Sequence, residues 1–428
     1  MKSSQSLLAH MISSKDFTLG VVGVGRVGLP IATMFALAGV KRVIGVDVNK
    51  ELIYSLGGCK IPFEERGLHD ALQAAVRTGN IHFTTEEREL VECDVTVVCV
   101  GTPLTADMRP QLAPLMSAFE SVLRNTKKGS STLIVIRSTV PPGTTKDILE
   151  PLALSRAGEL TRVVYSPERI TENNALSELA SLPEIVGSTD AEVRECYTAL
   201  FRFLNPKKIF SYTDSTSAEL AKIFCNMYRY ANFALANEFA LIAEEVGCDA
   251  HEVISIANES YNRGSISRPG PAGGPCLYKD GFFLDTSTGY TGLLRGVWNI
   301  NEYVPVHVVS RLKQFLKSLY RVRVGVLGMS YKPSSDDIRY SPAMRLIELL
   351  KDQGAQVDFH DPHVTGCSDI QNVLQSTVVI LAVAHPEFDK IPQALGQETK
   401  VFYDCCGFFR SQRATFQQSG IRYMLFGA

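Results

Sequence analysis

The stretch that most restricts the fold of this chain lies at residues 23–28, where the sequence reads Gly-Val-Gly-Arg-Val-Gly. A short apolar run leads into it at residues 19–24, the residues that follow the turn have a helical pattern, and a second strand is predicted at residues 41–46. Asp47 follows this second strand, nineteen residues after the last glycine. The pattern predicts a strand, a glycine-rich turn, a helix and a second strand that ends in an acid.

This arrangement is typical of the dinucleotide-binding unit of a Rossmann domain. Glycines at 23, 25 and 28 permit a tight turn and a close approach of the backbone to a pyrophosphate, and the helix N-terminus supplies N–H donors. Asp47 can accept hydrogen bonds from the adenosine ribose and would repel a 2′-phosphate, which favours NAD over NADP. The alternative is a glycine-rich turn in some other α/β domain.

Three further apolar runs are predicted to be buried strands, at residues 95–100, 132–136 and 162–165. Small polar residues follow each run. Because ligands of open parallel sheets bind at the carboxyl ends of the strands, these tips predict one binding rim.

A long, largely apolar helix is predicted from residue 215 to about residue 258. Lys222 and Asn226 are four residues apart and therefore share one face of it. Their apolar neighbours indicate burial, and a buried lysine needs a partner or a function. The alternative is a structural lysine in a salt bridge.

Cys276 lies in a Gly/Pro-rich segment at residues 269–280, just ahead of Lys279 and Asp280. Glycine and proline hold backbone shapes that let a ligand come close. Lys279 could favour the thiolate, and Asp280 could handle a proton, so the segment predicts a reactive cysteine. The alternative is a turn with an incidental cysteine.

The remainder of the chain predicts a second α/β domain without the full glycine fingerprint. Helical patterns run from about residue 281 to 319 and from 342 to 353, and strands are predicted at residues 322–327, 356–360, 378–382 and 400–403. The predicted fold is α/β, with two Rossmann-like, doubly wound parallel-sheet domains joined by a central helical region with a long helix. The predicted parts are an N-terminal extension (1–16), an NAD-binding Rossmann domain (17–212), a central helical dimerisation domain with the cysteine loop (213–318) and a C-terminal Rossmann-like domain (319–428).

Composition argues against several functional classes. The net charge of −2 gives no electrostatic reason to expect nucleic acid or an acidic membrane as partner. The ten cysteines are scattered without a CxxC pair, so no metal site is predicted, and such cysteines fit a reducing cytosol. No apolar run approaches the roughly 20 residues that span a bilayer, and the first residues lack the pattern of a signal peptide, so a cytoplasmic protein is expected.

Seven motifs, in order, resemble those of the nucleotide-sugar 6-dehydrogenases, which include UDP-glucose, GDP-mannose and UDP-N-acetylhexosamine dehydrogenases. They are GVGRVGLP, VGTP, STVPPGTT, SPERI, AELAKIFCNMYRY, GGPCLYKD and GMSYKPSSDDIRYSP, and the resemblance spans about residues 17–403. It implies an NAD-dependent, four-electron oxidation of a sugar C6 alcohol to a carboxylate, with no aldehyde released. A thiolate adds to the aldehyde, the thiohemiacetal is oxidised and the thioester is hydrolysed.

The resemblance also implies that the domain at residues 319–428 binds the UDP-sugar, and it implies roles for individual residues. Cys276 is similar to the nucleophile, Lys222 to the cation that stabilises the alkoxide and oxyanion, and Asn226 to the oxyanion donor. Asp280 with Thr139 resembles the pair that positions a water, and Glu168 resembles the glutamate of thioester hydrolysis; Lys279 keeps a smaller electrostatic role. The expected cofactor-binding residues are Gly23, Gly25, Arg26, Val27, Gly28, Asp47, Gly101, Thr102, Pro103, Ser138, Thr139 and Arg339. The expected substrate-binding residues are Glu168, Arg169, Glu172, Lys222, Asn226, Arg268, Gly273 and Lys332.

The sequence departs from the family pattern at several positions. A cationic residue common after the ribose acid is replaced by Leu52, and the family's EPG pattern reads Glu-Arg-Gly at residues 65–67. Cys405 and Cys406 stand where many members have an arginine, which puts one substrate contact in doubt. For the arginine that enters a neighbouring subunit's site, Arg263 competes with Arg268.

Several functional alternatives stay open at this point. SPERI favours UDP-N-acetylglucosamine or UDP-N-acetylmannosamine as substrate, whereas Glu172 favours UDP-glucose. A two-electron dehydrogenase of the hydroxyacid type would need no cysteine, and a silent dinucleotide-binding protein is the remaining alternative. The apolar long helix predicts a homodimer or a higher homo-oligomer, the alternative being burial between the protein's own domains.

Overall fold

The computed structural model describes residues 5–127, 129–285 and 287–428. These residues form two compact units. The first unit runs to Cys225 and includes the segment Phe282–Thr288, and the second consists of Asn226–Gly281 and Gly289–Ala428. The predicted division into an extension and three domains stays a prediction.

The first unit contains an eight-stranded sheet in the order β3-β2-β1-β4-β5-β6-β7-β8. Its strands are β1 Thr18–Val22, β2 Arg42–Val46, β3 Ile81–Thr84, β4 Val95–Val98, β5 Thr132–Ile136, β6 Thr161–Tyr165, β7 Glu184–Gly187 and β8 Phe210–Thr213. Neighbouring strands are parallel except β6 and β7, which pair antiparallel. The chain order reverses between β1 and β4, and this switch point is where such sheets bind ligands.

Helices cover both faces of this sheet. They are α1 Gln5–Ser13, α2 Gly28–Leu37, α3 Lys50–Gly57, α4 Leu68–Thr78, α5 Ala113–Asn125, α6 Glu150–Ala157, α7 Ala175–Ser181 and α8 Ala191–Phe201. Leu133 and Val135 of β5 belong to one apolar cluster, and Ile134 and Ile136 to another on the opposite face. A strand buried on both faces is apolar throughout, which explains why the central strands could be read from the sequence.

The predicted helix from residue 215 to about 258 is wrong in its extent. Helix α9 covers Ser215–Glu245, crosses from the first unit into the second, and is followed by α10 Ala250–Asn258. Gly247 adopts a φ of +76°, in the left-handed region that ends helices. The Asp249 side chain then caps α10 by accepting hydrogen bonds from the amides of His251 and Glu252.

The second unit contains a five-stranded, wholly parallel sheet in the order β10-β9-β11-β12-β13. The strands are β9 Arg323–Leu327, β10 Gln356–His360, β11 Val378–Leu381, β12 Val401–Asp404 and β13 Arg422–Leu425. The helices that follow α10 are α11 Phe282–Asp285 (in the first unit), α12 Gly292–Leu316, α13 Pro342–Asp352, α14 Ile370–Leu374, α15 Ile391–Ala394 and α16 Arg413–Gln418. The predicted fold class is confirmed: two parallel α/β sheets accompany a helical region. Among the helices of the described residues, none combines the length and apolar character of a membrane span.

Candidate active site

The glycine-rich turn between β1 and α2 has the geometry that a dinucleotide requires. Gly23 has a φ of +85°, and a Cβ on Gly28 would overlap the Gly23 carbonyl oxygen and lie 3.2 Å from Val21 Cγ1. A Cβ on Gly25 would meet no heavy atom within 4 Å. The side chain of Val27, at the N-cap of α2, caps no amide of that helix. The turn is therefore tight on its inner side and open on the side from which a pyrophosphate would approach its amides.

Asp47 ties the end of β2 to this turn. Its Oδ2 accepts a hydrogen bond from the Val24 amide at 3.0 Å, and its Oδ1 accepts one from the Asn49 amide at 2.9 Å. The carboxylate is thus held beside the fingerprint loop, where an adenosine ribose would lie.

The ends of β4 and β5 are joined by two buried hydroxyls. Ser138 Oγ donates to the carbonyl of Val100 at 2.6 Å, and Thr102 Oγ1 donates to the carbonyl of Thr139 at 2.7 Å. Gly101 and Pro103 stay exposed at the rim. The structure therefore brings the motifs at 100–103 and 138–144 together, as the strand order predicts.

Glu219 of α9 holds the loop that follows Thr139. Its side chain is fully buried and accepts hydrogen bonds from the amides of Gly143 at 2.6 Å and Thr145 at 2.8 Å. Burial raises the pKa of this carboxyl. The sequence showed an acid within an apolar helix but gave no sign of its partners.

A buried charge network lies behind Glu168. Arg137 contacts the carboxylates of both Glu168 and Glu184, and Lys208 Nζ lies 2.9 Å from Glu184 Oε1. Arg137 also donates to the hydroxyl of Tyr197 at 2.8 Å. Burial by itself raises the pKa of Glu184, but the two cations outweigh it and lower that pKa. The positive charges of Arg137 and Lys208 thus balance the negative charges of the Glu168 and Glu184 carboxylates.

Glu168 is fixed in orientation by this network and by its own turn. Its Oε2 accepts from Arg137, and its Oε1 accepts from the amides of Arg169 at 2.7 Å and Ile170 at 2.9 Å. The Arg169 guanidinium donates to the Pro183 carbonyl. Sequence inspection did not single out Arg137 as the partner of Glu168.

Arg26, an expected cofactor ligand, lies close to Glu172, an expected substrate ligand, in the first unit. Arg26 Nε lies 3.8 Å from Glu172 Oε1, and the Arg26 guanidinium lies over the ring of Phe63. Glu65 accepts hydrogen bonds from the amides of Asn173 and Ala175, both at 2.9 Å. The unusual Glu-Arg-Gly segment therefore braces the loop that carries Glu172.

Lys222 is buried on α9, one turn before Asn226, with a relative exposure of 6%. Within the described residues of the first unit, its ammonium group has no hydrogen-bond or ion-pair partner. The structural-lysine alternative required such a partner. A buried cation in this position suits an anionic ligand oxygen better.

In the second unit, hydrogen bonds hold both ends of the segment at residues 269–280, here called the cysteine loop. The Gly270 amide donates to Asn237 Oδ1 at 2.8 Å, and Asn226 Nδ2 donates to Asp280 Oδ2 at 2.7 Å. Between these anchors the side chain of Cys276 is exposed. The Cys276 thiol therefore lies exposed on a loop whose two ends are held by hydrogen bonds.

Asp280 is fully buried and joins two polar neighbours. Its Oδ1 lies 2.9 Å from Lys279 Nζ, and its Oδ2 accepts from Asn226. Lys279 thus balances the charge of Asp280, in keeping with its smaller expected role. The Asn226 amide nitrogen carries two hydrogens, and Asp280 takes one.

The remaining expected ligands lie elsewhere in the second unit. Arg339 pairs with Asp337 through Nε at 2.9 Å and Nη2 at 2.6 Å, and its side chain is 59% exposed. Lys332 Nζ lies 5.9 Å from the centre of the Tyr331 ring. Arg268, like its competitor Arg263, is exposed.

Among the residues that the structure describes, one group of side chains has the spacing of metal ligands, namely His363, His385 and Glu387. Both ring nitrogens of His385 already have partners, since Nε2 lies 3.0 Å from Asp361 Oδ2 and Nδ1 accepts from the Ser334 amide at 3.2 Å. This hydrogen-bonding pattern is that of a brace between loops.

Comparison with protein families gives three matches in chain order. The UDP-glucose/GDP-mannose dehydrogenase family matches through its NAD binding domain at residues 17–205, its central domain at residues 216–303 and its UDP binding domain at residues 325–411.

Individual proteins are similar over most of the chain. UDP-N-acetyl-D-mannosamine dehydrogenase of Methanocaldococcus jannaschii is 32% identical over 86% of this chain and 86% of its own length. NDP-N-acetyl-D-galactosaminuronic acid dehydrogenase of Ralstonia nicotianae is 30% identical over 93% of this chain and 98% of its own.

Solved structures give the same picture. A UDP-D-ManNAc dehydrogenase from Pyrococcus horikoshii superimposes with a TM-score of 0.88 at 30% identity, covering 96% of this chain and 99% of the other. A UDP-glucose dehydrogenase from Pyrobaculum islandicum gives a TM-score of 0.84 at 28% identity, covering 95% and 97%.

Proposed function

The chain belongs to the UDP-glucose/GDP-mannose dehydrogenase family of NAD-dependent oxidoreductases, and we propose that it oxidises UDP-N-acetyl-D-mannosamine at C6 to the uronic acid. The observation that carries this choice of sugar is the likeness to proteins named for that activity, at 32% identity in sequence and a TM-score of 0.88 in structure. It agrees with the acetamido-sugar substrate expected from the SPERI motif.

UDP-glucose is the second candidate. Glu172 supports it, because the glucose enzymes carry a further glutamate at that position, and the UDP-glucose dehydrogenase of Pyrobaculum islandicum is structurally similar. The acetamido sugar is favoured because the two relatives compared by sequence above are both named for N-acetylated sugars.

The open face of the glycine turn and the placement of Asp47 fit NAD. Gly23, Gly25 and Gly28 would cradle the pyrophosphate at the start of α2, and Asp47 would accept from the adenosine ribose. When bound, NAD supplies the hydride acceptor for both oxidations.

Cys276 supplies the nucleophile in this proposal. Its sulfur bonds to the C6 aldehyde carbon and gives a thiohemiacetal, whose carbon can lose a second hydride to become a thioester. Lys222 and Asn226 stabilise the negative charge that develops on the C6 oxygen in both stages. Water then adds to the thioester, the carbon–sulfur bond breaks, and the carboxylate leaves while the thiolate is regenerated.

The water of hydrolysis is assigned to polar groups whose orientation is fixed. Asp280, together with Thr139, positions it, and Glu168 assists its attack. The contacts of Asp280 with Asn226 and Lys279, and those of Glu168 with Arg137, support these roles because oriented groups do not have to reorganise during the reaction.

A panel of UDP-sugars tests the proposed substrate. NADH release with UDP-N-acetylmannosamine, UDP-N-acetylglucosamine, UDP-glucose and GDP-mannose is measured, together with NADH formed per sugar consumed. We expect kcat/KM for UDP-N-acetylmannosamine to exceed that for UDP-glucose by about 100-fold, because a pocket built for an acetamido group leaves polar groups unpaired with a bare hydroxyl. About two NADH per sugar are expected. A preference for UDP-glucose would overturn the choice of sugar, and one NADH with aldehyde accumulation would overturn the mechanism.

The exposed face of α9 supports self-association. Tyr228, Leu235, Phe239 and Ile242 recur at helical spacing, and their exposures range from 36% to 73%. A continuous apolar stripe on a surface helix marks an interface. We therefore propose a homodimer formed through this face; the cytoplasmic location stays a prediction.

Sedimentation velocity tests this interface. The wild-type chain is expected to sediment as a dimer at micromolar concentration, whereas Tyr228→Glu with Ile242→Glu should sediment as a monomer, because each places a charge in the apolar contact. Val48 is exposed in the loop between β2 and α3, outside α9, and Val48→Glu serves as the control. A monomeric wild-type chain would contradict the proposal.

A further inference from the structure

The cysteine loop packs directly against the segment at residues 328–341, here called the nucleotide loop. The Gly274 amide donates to the carbonyl of Tyr340 at 3.0 Å. A Cβ on Gly273 would lie 2.7 Å from Pro342 Cδ, and one on Gly274 would lie 2.8 Å from Tyr331 Cε2. The two backbones can approach this closely only because residues 273 and 274 lack side chains.

Aromatic rings hold the cysteine loop on the C-terminal side of Cys276. The ring of Tyr278 stacks on that of Tyr340, with centroids 4.6 Å apart and an interplanar angle of 18°. Its edge meets Trp298 at 5.7 Å. Tyr340 thus contacts the cysteine loop on both sides of Cys276, through its carbonyl at residue 274 and through its ring at residue 278.

The backbone of Tyr340 is unusual in a way that bears on this contact. Its φ is +52°, in the left-handed region that a bulky side chain rarely adopts. Such strain persists where the surrounding structure imposes it, and it is often found at functional sites. The same residue in this strained conformation supplies both contacts to the cysteine loop.

The nucleotide loop is itself firmly held. Asp361 accepts hydrogen bonds from the amides of Met329 at 2.6 Å and Ser330 at 3.0 Å, and the Tyr331 amide donates to the carbonyl of Asp337 at 2.9 Å. The loop follows β9, where the order of the five-stranded sheet reverses. That position binds ligands in open parallel sheets, and the loop carries Lys332, an expected substrate ligand.

We propose that Tyr340 is a positioning residue for Cys276. Its carbonyl and ring fix the cysteine loop to the nucleotide loop, so that the thiol stands at a set distance from the groups that hold the nucleotide. Both loops belong to the second unit, so the distance between the thiol and the groups that bind the nucleotide is set within that unit. This distance has to match the one between the nucleotide and C6 of the substrate. The inference rests on the proposed function, because it assigns Cys276 to the oxidation of the aldehyde.

Three variants test it: Tyr340→Leu, Tyr340→Phe and, as a matched control, Tyr320→Leu at a tyrosine that is 64% exposed. Tyr340→Leu is expected to lower kcat for acid formation by about 100-fold, with KM for the UDP-sugar within about threefold of wild type, because a misplaced thiol costs rate more than binding. NADH per sugar should fall from about two toward one, with trapped aldehyde accounting for the difference. All Tyr340 variants keep the backbone carbonyl; Tyr340→Phe also keeps the stacked ring and should match wild type, as should Tyr320→Leu.

Hydrogen exchange of the Gly274 amide gives a readout that does not depend on activity. It is expected to become about tenfold faster in Tyr340→Leu and to stay unchanged in Tyr320→Leu. Should Tyr340→Leu not fold, Tyr278→Leu removes the same stack from the cysteine-loop side. Two NADH per sugar at the wild-type kcat, or unchanged exchange, would overturn the inference. Failure of the proposed function is distinguishable, since the wild-type enzyme itself would then prefer UDP-glucose or release only one NADH per sugar.

Discussion

Replacing Cys276 by serine is expected to lower the rate of carboxylate formation by at least about 10³-fold, a loss typical of removing a covalent nucleophile. A serine hydroxyl is a far weaker nucleophile toward the C6 aldehyde than a thiolate. The first oxidation needs no thiol, so NADH should still form, at about one per sugar consumed. The measurement is NADH by absorbance, with aldehyde trapped as a hydrazone and acid separated by anion-exchange chromatography.

Cys248→Ser is the matched control, because Cys248 is also exposed and lies in the turn between α9 and α10. It should keep two NADH per sugar and the wild-type rate. Carboxylate formation by Cys276→Ser at the wild-type rate would contradict the mechanism. Full activity after alkylation of Cys276 would favour a two-electron dehydrogenase instead.

Gly28→Ala is expected to destabilise the protein by about 3 kcal/mol and to weaken NAD binding by about 100-fold. The added Cβ would overlap the Gly23 carbonyl and lie 3.0 Å from its carbon atom, and backbone atoms cannot move aside as a flexible side chain could. The turn would have to open and α2 would shift away from β1. Urea denaturation measures the free energy of unfolding, and fluorescence titration measures the Kd for NAD.

Gly25→Ala separates cofactor binding from packing in the same turn. Its Cβ would meet no heavy atom of the protein, so the free energy of unfolding should change by only about 0.5 kcal/mol. NAD binding should still weaken markedly, because the methyl group would stand where the pyrophosphate approaches the backbone. Wild-type NAD affinity in Gly25→Ala would contradict the placement of the cofactor, and wild-type stability of Gly28→Ala would contradict the close packing.

The central strands of the first sheet could be predicted because they are continuously apolar. Residues 132–136 were predicted at the bounds that β5 has, and β4 ends two residues earlier than expected. β10 was also predicted at its bounds, although its sequence alternates polar and apolar residues. Other short strands of mixed composition were missed. Among them, β3 and β8 contain polar residues at alternate positions, lie toward the edges of the sheet and show no buried-strand pattern.

The site residues that could be predicted from the sequence are those that belong to short local motifs. The glycine spacing, Asp47, and the combination of Cys276 with Asp280 are visible within short windows. The extent of the long helix was misjudged because its apolar pattern continues past Gly247, and only the left-handed φ of that glycine ends it.

The sequence by itself determined which groups are predicted to be chemically active, since glycine spacing, helical periodicity and apolar runs depend on neighbours along the chain. The tertiary structure decided which distant groups hold them. Arg137 contacts Glu184, which is 47 residues away along the chain, and Glu219 contacts Gly143, which is 76 residues away. Tyr340, in the loop that follows β9, stacks on Tyr278 of the cysteine loop. Such hydrogen bonds and stacked rings form only after folding brings remote segments within a few ångströms, and no local pattern encodes those distances.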